Sequence, residues 1–130
     1  MTTPTIQRIL YIEDEPDIRT IAKVALEALG GFSVATCSSG PEAVAQAAAL
    51  APDLILLDVM MPGMDGPATL QALRALPQTA QTPVIFMTAK VQAGEIQQYK
   101  SLGALDVIAK PFDPMTLSEQ ISEIWQKAVA

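Results

Sequence analysis

No histidine occurs among the 130 residues, which removes the usual neutral-pH proton shuttle, the commonest metal ligand and any histidine-activated nucleophile. Chemistry in this chain has to run on carboxylates, hydroxyls and lysine. Cysteine is nearly absent as well. Cys37 alone cannot close an internal disulfide, and its place in an apolar strand marks it as an inert core thiol suited to a reducing compartment. Basic residues are scarce, eight Lys and Arg against fourteen Asp and Glu for a net charge of −6. They are scattered and form no stripe able to neutralise a phosphate backbone, which argues against direct nucleic-acid binding. No apolar run approaches the roughly 20 residues of a membrane helix. Met1 to Thr5 has neither the basic start nor the apolar stretch of a signal peptide. The expectation is a cytoplasmic protein without membrane insertion.

What is present suits a globular core. Half of the residues are hydrophobic, against the low hydrophobicity that disorder requires, and the length is that of one ordinary domain. No interior linker, low-complexity tract or repeat divides the chain, so one domain over residues 1–130 without an output domain is expected.

Strand and helix signals alternate along it. Arg8 to Ile12 is a short apolar run that stops at Glu13-Asp14-Glu15-Pro16, and Ile18, Ile21, Ala22, Ala25 and Leu29 follow at helical spacing. Gly30-Gly31 ends that helix, Phe32 to Cys37 reads as a strand, and Ser39-Gly40-Pro41 opens an alanine-rich helix to about Leu50. Leu54 to Leu57 is apolar without alternation, as in a strand covered on both faces, and ends at Asp58. A loop from Val59 to Gly66 leads to a helix over Pro67 to Leu76, and Pro77 to Pro83 is a polar connection. Val84 to Met87 is a fourth strand ending at Thr88, Val91 to Leu102 a weaker helix stopped by Gly103, and Leu105 to Ala109 a fifth strand ending at Lys110. Pro111-Phe112-Asp113-Pro114 introduces a last helix with Leu117, Ile121, Ile124 and Ala128 inward. Five strands alternating with five helices call for a doubly wound α/β domain, a parallel sheet with right-handed crossovers and helices on both faces.

The polar residues fall where such a sheet binds ligands, beyond the carboxyl ends of the strands at the point where strand order reverses. Glu13 and Asp14 follow strand one, Asp58 strand three, Thr88 strand four and Lys110 strand five. In the order 2-1-3-4-5, strands one and three are neighbours at that point and their acids converge. Three carboxylates with only Lys110 to compensate repel one another, and a hard cation is the remedy. Mg2+, which takes one or two carboxylates together with waters and phosphate oxygens, suits Asp14, Asp58 and a carbonyl of the following loop. Each residue alone has an ordinary explanation. The acids before Pro16 favour a helix N-terminus, Thr88 can be a turn hydroxyl and Lys110 a solvated strand end. Four such residues coinciding at the required strand ends is what points to a site.

Tyr11-Ile12-Glu13-Asp14-Glu15-Pro16, the run from Asp58 through Pro62-Gly63 to Asp65-Gly66, Thr88-Ala89 and Lys110-Pro111-Phe112 together resemble the response-regulator receiver family, the CheY-like domains of two-component signalling, over essentially the whole chain. The strand order 2-1-3-4-5 comes with that resemblance. The resemblance implies Asp58 as phosphoacceptor, a carboxylate nucleophile that forms an acyl phosphate. It implies Mg2+ on Asp14, Asp58 and the Met60 carbonyl, with Glu13, where many members have Asp, holding a metal-bound water. Lys110 and Thr88 then pair with phosphoryl oxygens, and the Lys110-Pro111 bond is cis. Met60 and Lys90 flank the path of hydrolytic water. Val107 stands where many members carry a switching aromatic residue, so output is expected to rest on the backbone and the fourth helix.

The implied partners are a sensor histidine kinase or phosphotransfer protein as donor, docking on helix one near Ile18, Arg19 and Ala22, and a downstream protein target. A chain without histidine cannot be its own histidine donor, and one without an output domain is expected to be a diffusing switch or relay, with no turnover on an external substrate. Three alternatives differ in class. An aspartate-nucleophile phosphatase would place a second Asp two residues after the nucleophile, where this chain has Met60. A flavodoxin-like cofactor carrier would need a Gly/Ser/Thr-rich loop after strand one, and this loop is acidic. A degenerate receiver used only for protein binding would not need the full set of acids, hydroxyl and lysine.

Overall fold

The computed structural model describes residues 6–129, and the start Met1 to Thr5 lies outside them. Five strands, β1 (Arg8–Ile12), β2 (Ser33–Cys37), β3 (Leu54–Asp58), β4 (Val84–Thr88) and β5 (Asp106–Ala109), alternate with five helices, α1 (Pro16–Gly30), α2 (Gly40–Leu50), α3 (Gly66–Arg74), α4 (Ala93–Ser101) and α5 (Leu117–Val129). The strands form one parallel sheet in the order β2-β1-β3-β4-β5. The expected doubly wound architecture and strand order are both present.

β3 and β4 are buried along their whole length, as apolar strands covered on both faces must be. Alternate side chains supply two separate cores. Leu10, Ile12, Ile55, Leu57, Val84 and Phe86 pack on one face, and Ile9, Tyr11, Leu54, Leu56, Ile85 and Met87 on the other. Burying a large aliphatic side chain contributes about 1.5–3 kcal/mol, so these faces dominate the stability of the sheet.

Local signals set the helix ends. Pro16 and Asp17 open α1, and Gly31 closes it at φ 71°, its N–H donating to the Glu27 carbonyl. Ser39 caps α2 by accepting from the Glu42 N–H, and Asp65 caps α3 by accepting from the Ala68 N–H at 2.9 Å. Gly66 is needed at the start of α3. A Cβ there would lie 2.7 Å from the Asp58 carbonyl oxygen, because the helix begins against the end of β3.

Several boundaries and faces differ from the sequence expectation. α3 stops at Arg74, and the chain to Leu76 continues in tight turns bonded to Ala72 and Leu73. α4 begins two residues later than expected and ends one earlier; its N-cap Gln92 makes no side-chain cap bond and the helix buries no residue. β2 and β5 each begin one residue later than expected. In α1 the buried stripe is Ala22, Ala25 and Leu26, while Ile21 and Leu29, which share the helical spacing, are 47% and 51% exposed. Ala128 of α5, expected inward, is also exposed, and Ile124 and Trp125 pack half-buried against the core. A one-sided helix buries only a stripe of its apolar positions, and both helices offer more apolar positions than the sheet covers.

α2 ends on Ala51 at φ 47°, a left-handed residue carrying a Cβ. That conformation costs an L-residue about 1–2 kcal/mol, against about 0.5–1 kcal/mol for the extra backbone freedom of Gly. Ala51→Gly should therefore raise stability by about 0.5–1 kcal/mol in urea denaturation. A loss of stability would contradict this account of the helix end.

Candidate functional site

The carboxyl ends of four strands bring the polar residues together. Glu13 and Asp14 leave β1, Asp58 ends β3, Thr88 ends β4 and Lys110 follows β5. Backbone bonds lock these ends to one another: the Val59 N–H donates to the Met87 carbonyl, and the Lys110 N–H to the Thr88 carbonyl at 2.9 Å. The Lys110-Pro111 bond is cis.

Lys110 stands between two acids. Its Nζ lies 3.2 Å and 3.0 Å from Glu13 Oε1 and Oε2 and 3.3 Å from Asp58 Oδ1. Glu13 is fully buried and Asp58 only 3% exposed, so these are ion pairs in a poorly solvated crevice, where an unpaired charge would be costly. Asp14 is half-buried beside them. One oxygen from each of Glu13, Asp14 and Asp58 can be chosen so that all lie within 4.8 Å of one another. An all-oxygen set of three acids with neither His nor Cys fits a hard cation, Mg2+ or Ca2+, better than a transition metal.

Two contacts on Glu13 had not been expected. The Tyr11 hydroxyl donates to Glu13 Oε2 at 3.2 Å, and Arg19 Nη1 donates to the Glu13 main-chain carbonyl at 2.7 Å. The first was visible in principle, since residues two apart on a strand share a face. The second revises the expected docking face. Arg19 is engaged inward and Ala22 is fully buried, so of the three residues assigned to that face only Ile18, half-buried, is left. Thr88 is buried, and its Oγ1 accepts from the Lys90 N–H at 3.1 Å. Met60 is 68% exposed and Lys90 is exposed too, placing both on the rim. The Met60 N–H bonds to Asp58. Val107 is half-buried, level with Phe86 in the β4–β5 register. Phe86 in turn meets Tyr99 of α4 edge to face at a ring separation of 5.3 Å, so the aromatic contact in this region comes from the fourth helix.

Burial and charge crowding both show in the ionisation of these groups. Burial, and next to it the negative charge of Glu13, push the Asp58 carboxyl up to about 6, although Lys110 and the Met60 N–H pull the other way. Burial works to lower the Lys110 ammonium, yet Glu13 and Asp58 together hold it above its ordinary value. Burial and the adjacent Glu13 also raise the Tyr11 hydroxyl, which keeps it a neutral donor.

A doubly wound five-stranded sheet with an acidic crevice and a lysine at its strand ends is the architecture of signalling receiver modules. The chain belongs to the response-regulator receiver family: the family model for the response regulator receiver domain matches residues 9–122. It is 40% identical over 119 residues to the response regulator PleD of Caulobacter vibrioides, covering 90% of this chain and 26% of that protein. It is 35% identical to the alkaline phosphatase synthesis transcriptional regulatory protein PhoP of Bacillus subtilis, covering 94% of this chain and half of that one. The structure of the chemotaxis protein CheY4 of Vibrio cholerae superposes with a TM-score of 0.84 at 31% identity, covering 92% of this chain and 99% of that one. The chain thus spans about half or less of the curated relatives it matches. Receiver domains are signalling modules rather than enzymes turning over external substrates. Among the described residues no helix is long and apolar enough to cross a membrane.

Because the Asp58 carboxyl sits above its ordinary 3.8 in the folded state, its ionisation opposes folding. The stability associated with the neutral group is present below about pH 4 and is lost as pH rises through about 6. In metal-free protein, Asp58→Asn should therefore be about 2–3 kcal/mol more stable than wild type at pH 8. The two should converge toward pH 4. Equal stabilities at pH 8 by chemical denaturation would show that Lys110 compensates the acid fully.

Proposed function

We propose that this chain takes a phosphoryl group on Asp58 from a partner histidine kinase or phosphotransfer protein and so switches its binding to a downstream protein. The observation that carries the reading is the convergence of Glu13, Asp14 and Asp58 at the ends of β1 and β3, with the Lys110 ammonium that follows β5 paired to Glu13 and Asp58. A carboxylate is a weak nucleophile toward a phosphate dianion unless positive charge gathers around the transferring oxygens.

The Asp58 carboxylate oxygen attacks phosphorus. An O–P bond forms, the bond from phosphorus to the donor's leaving group breaks, and the electron pair departs with that group. Lys110 is already within ion-pair reach of Asp58 and turns from the acids to a phosphoryl oxygen. The Thr88 hydroxyl donates to a second oxygen, which draws on its loop and on α4 behind it. Glu13, Asp14, Asp58 and the Met60 carbonyl would hold Mg2+, which when bound offsets the negative charge that acceptor and phosphoryl group bring together. α4 buries no residue, and such weakly anchored elements are those that move in a switch.

The donor protein docks on α1. An apolar groove of about 420 Å³ lies between α1 and the segment before α5, lined by Ile21, Val24, Ala25, Leu29, Pro114 and Met115. A smaller one beside it includes Ile18, Pro111 and Lys110 itself. Exposed apolar patches of this kind mark interaction surfaces, and this one adjoins the site.

Intact mass after incubation with acetyl phosphate and Mg2+ tests the reading. One added phosphoryl group is expected in wild type, and none with EDTA or in Asp58→Asn. No adduct under any condition would leave a degenerate receiver that only binds protein. An adduct persisting in Asp58→Asn would move the acceptor to another carboxylate.

A further inference from the structure

Glu13 has no solvent contact, so its carboxylate depends on protein donors. Lys110 bonds both oxygens, and the Tyr11 hydroxyl adds a bond to Oε2 at 3.2 Å. Lys110 cannot serve Glu13 and an incoming anion equally, because an ammonium drawn to phosphoryl oxygens weakens its hold on both acids. Tyr11 is under no such competition. It is fully buried in the middle of β1, its ring is packed in the second core beside Leu54, Leu56 and Ile85, and its backbone is paired with both β2 and β3. Its hydroxyl is therefore fixed in place and has Glu13 as its acceptor.

We propose that Tyr11 is a positioning residue for Glu13, holding that carboxylate within the acidic cluster independently of Lys110. The proposal rests on the reading of Glu13, Asp14 and Asp58 as a divalent-cation site. With Tyr11 removed, Lys110 becomes the only donor to the Glu13 side chain among the described contacts, and Glu13 must then either follow the ammonium or lose its orientation. Either way the cluster is less well prepared for a cation. Arg19 cannot substitute, since it is bonded to the Glu13 main-chain oxygen and not to the carboxylate.

Mn2+ serves as the probe, its free signal read by electron paramagnetic resonance at pH 7.5 without any phosphodonor. Tyr11→Phe should weaken Mn2+ binding by about three- to tenfold, the worth of one buried hydrogen bond. In a double-mutant cycle with Glu13→Gln, the second substitution should add little to the first, because both act through one carboxylate. Unchanged Mn2+ affinity in Tyr11→Phe, or losses that simply add, would overturn the proposal while leaving the cation site intact. No Mn2+ binding by wild type would overturn the site reading and this proposal with it. Should Tyr11→Phe fail to fold, the unmutated protein still decides the matter. The Tyr11 ring 13Cζ resonance should shift as Mg2+ saturates the site, and a resonance indifferent to Mg2+ would refute the role.

Discussion

The pairing of the Lys110 ammonium with Glu13 and Asp58 is the interaction on which the rest of this molecule's chemistry depends. One cation faces three acids in a crevice where two of those acids are almost wholly shielded from water. Attraction to Lys110 makes the arrangement tolerable but does not balance it: burial first, and then the charge of Glu13, leave the Asp58 carboxyl raised in spite of the lysine. A site with negative charge to spare is prepared for a divalent cation. A lysine shared between two acids is also placed to meet a new anion beside Asp58. Both properties come from the same count of charges.

Holding these groups together falls to the sheet. No two of β1, β3, β4 and β5 are joined by a short hairpin, so Glu13, Asp58, Thr88 and Lys110 meet only because parallel strands with crossover helices bring all their carboxyl ends to one edge. The apolar strands beneath fix the register, since a slip of one residue would exchange the two cores. Gly66 completes the arrangement by letting α3 start against the main chain of Asp58 and Val59 at the end of β3. Burial is concentrated in β1, β3 and β4, and it declines toward α4, whose helix buries no residue.

Most of this was legible in the chain. Uninterrupted apolar runs ending at Asp58 and Thr88 marked central parallel strands, and five alternations of strand and helix left few other folds. The helix opening at Ser39 and the stop at Gly31 were local signals that held. What could not be read was the surface each helix presents. Ile21 and Leu29 carry the periodicity of a buried face, yet they lie outside the stripe that the sheet covers. Arg19 seemed by position to belong to an outer face, and only the closeness of α1 to the β1 loop reveals its bond to Glu13. Long side chains choose partners in three dimensions, and no spacing rule anticipates that choice. The Tyr11–Glu13 bond sits between these cases, since alternation places both on one face but cannot show that the hydroxyl reaches.

The charge imbalance itself can be measured most directly as stability against Mg2+ concentration at pH 7.5, by urea denaturation of wild type and Asp58→Asn with no phosphodonor present. A cation held by the native acids and not by the unfolded chain should stabilise wild type by about 2.7 kcal/mol at a hundredfold excess over its Kd. The response should be much smaller once Asp58 is neutral. A wild-type stability that does not change with Mg2+ would contradict the account, because Lys110 alone would then satisfy the three acids.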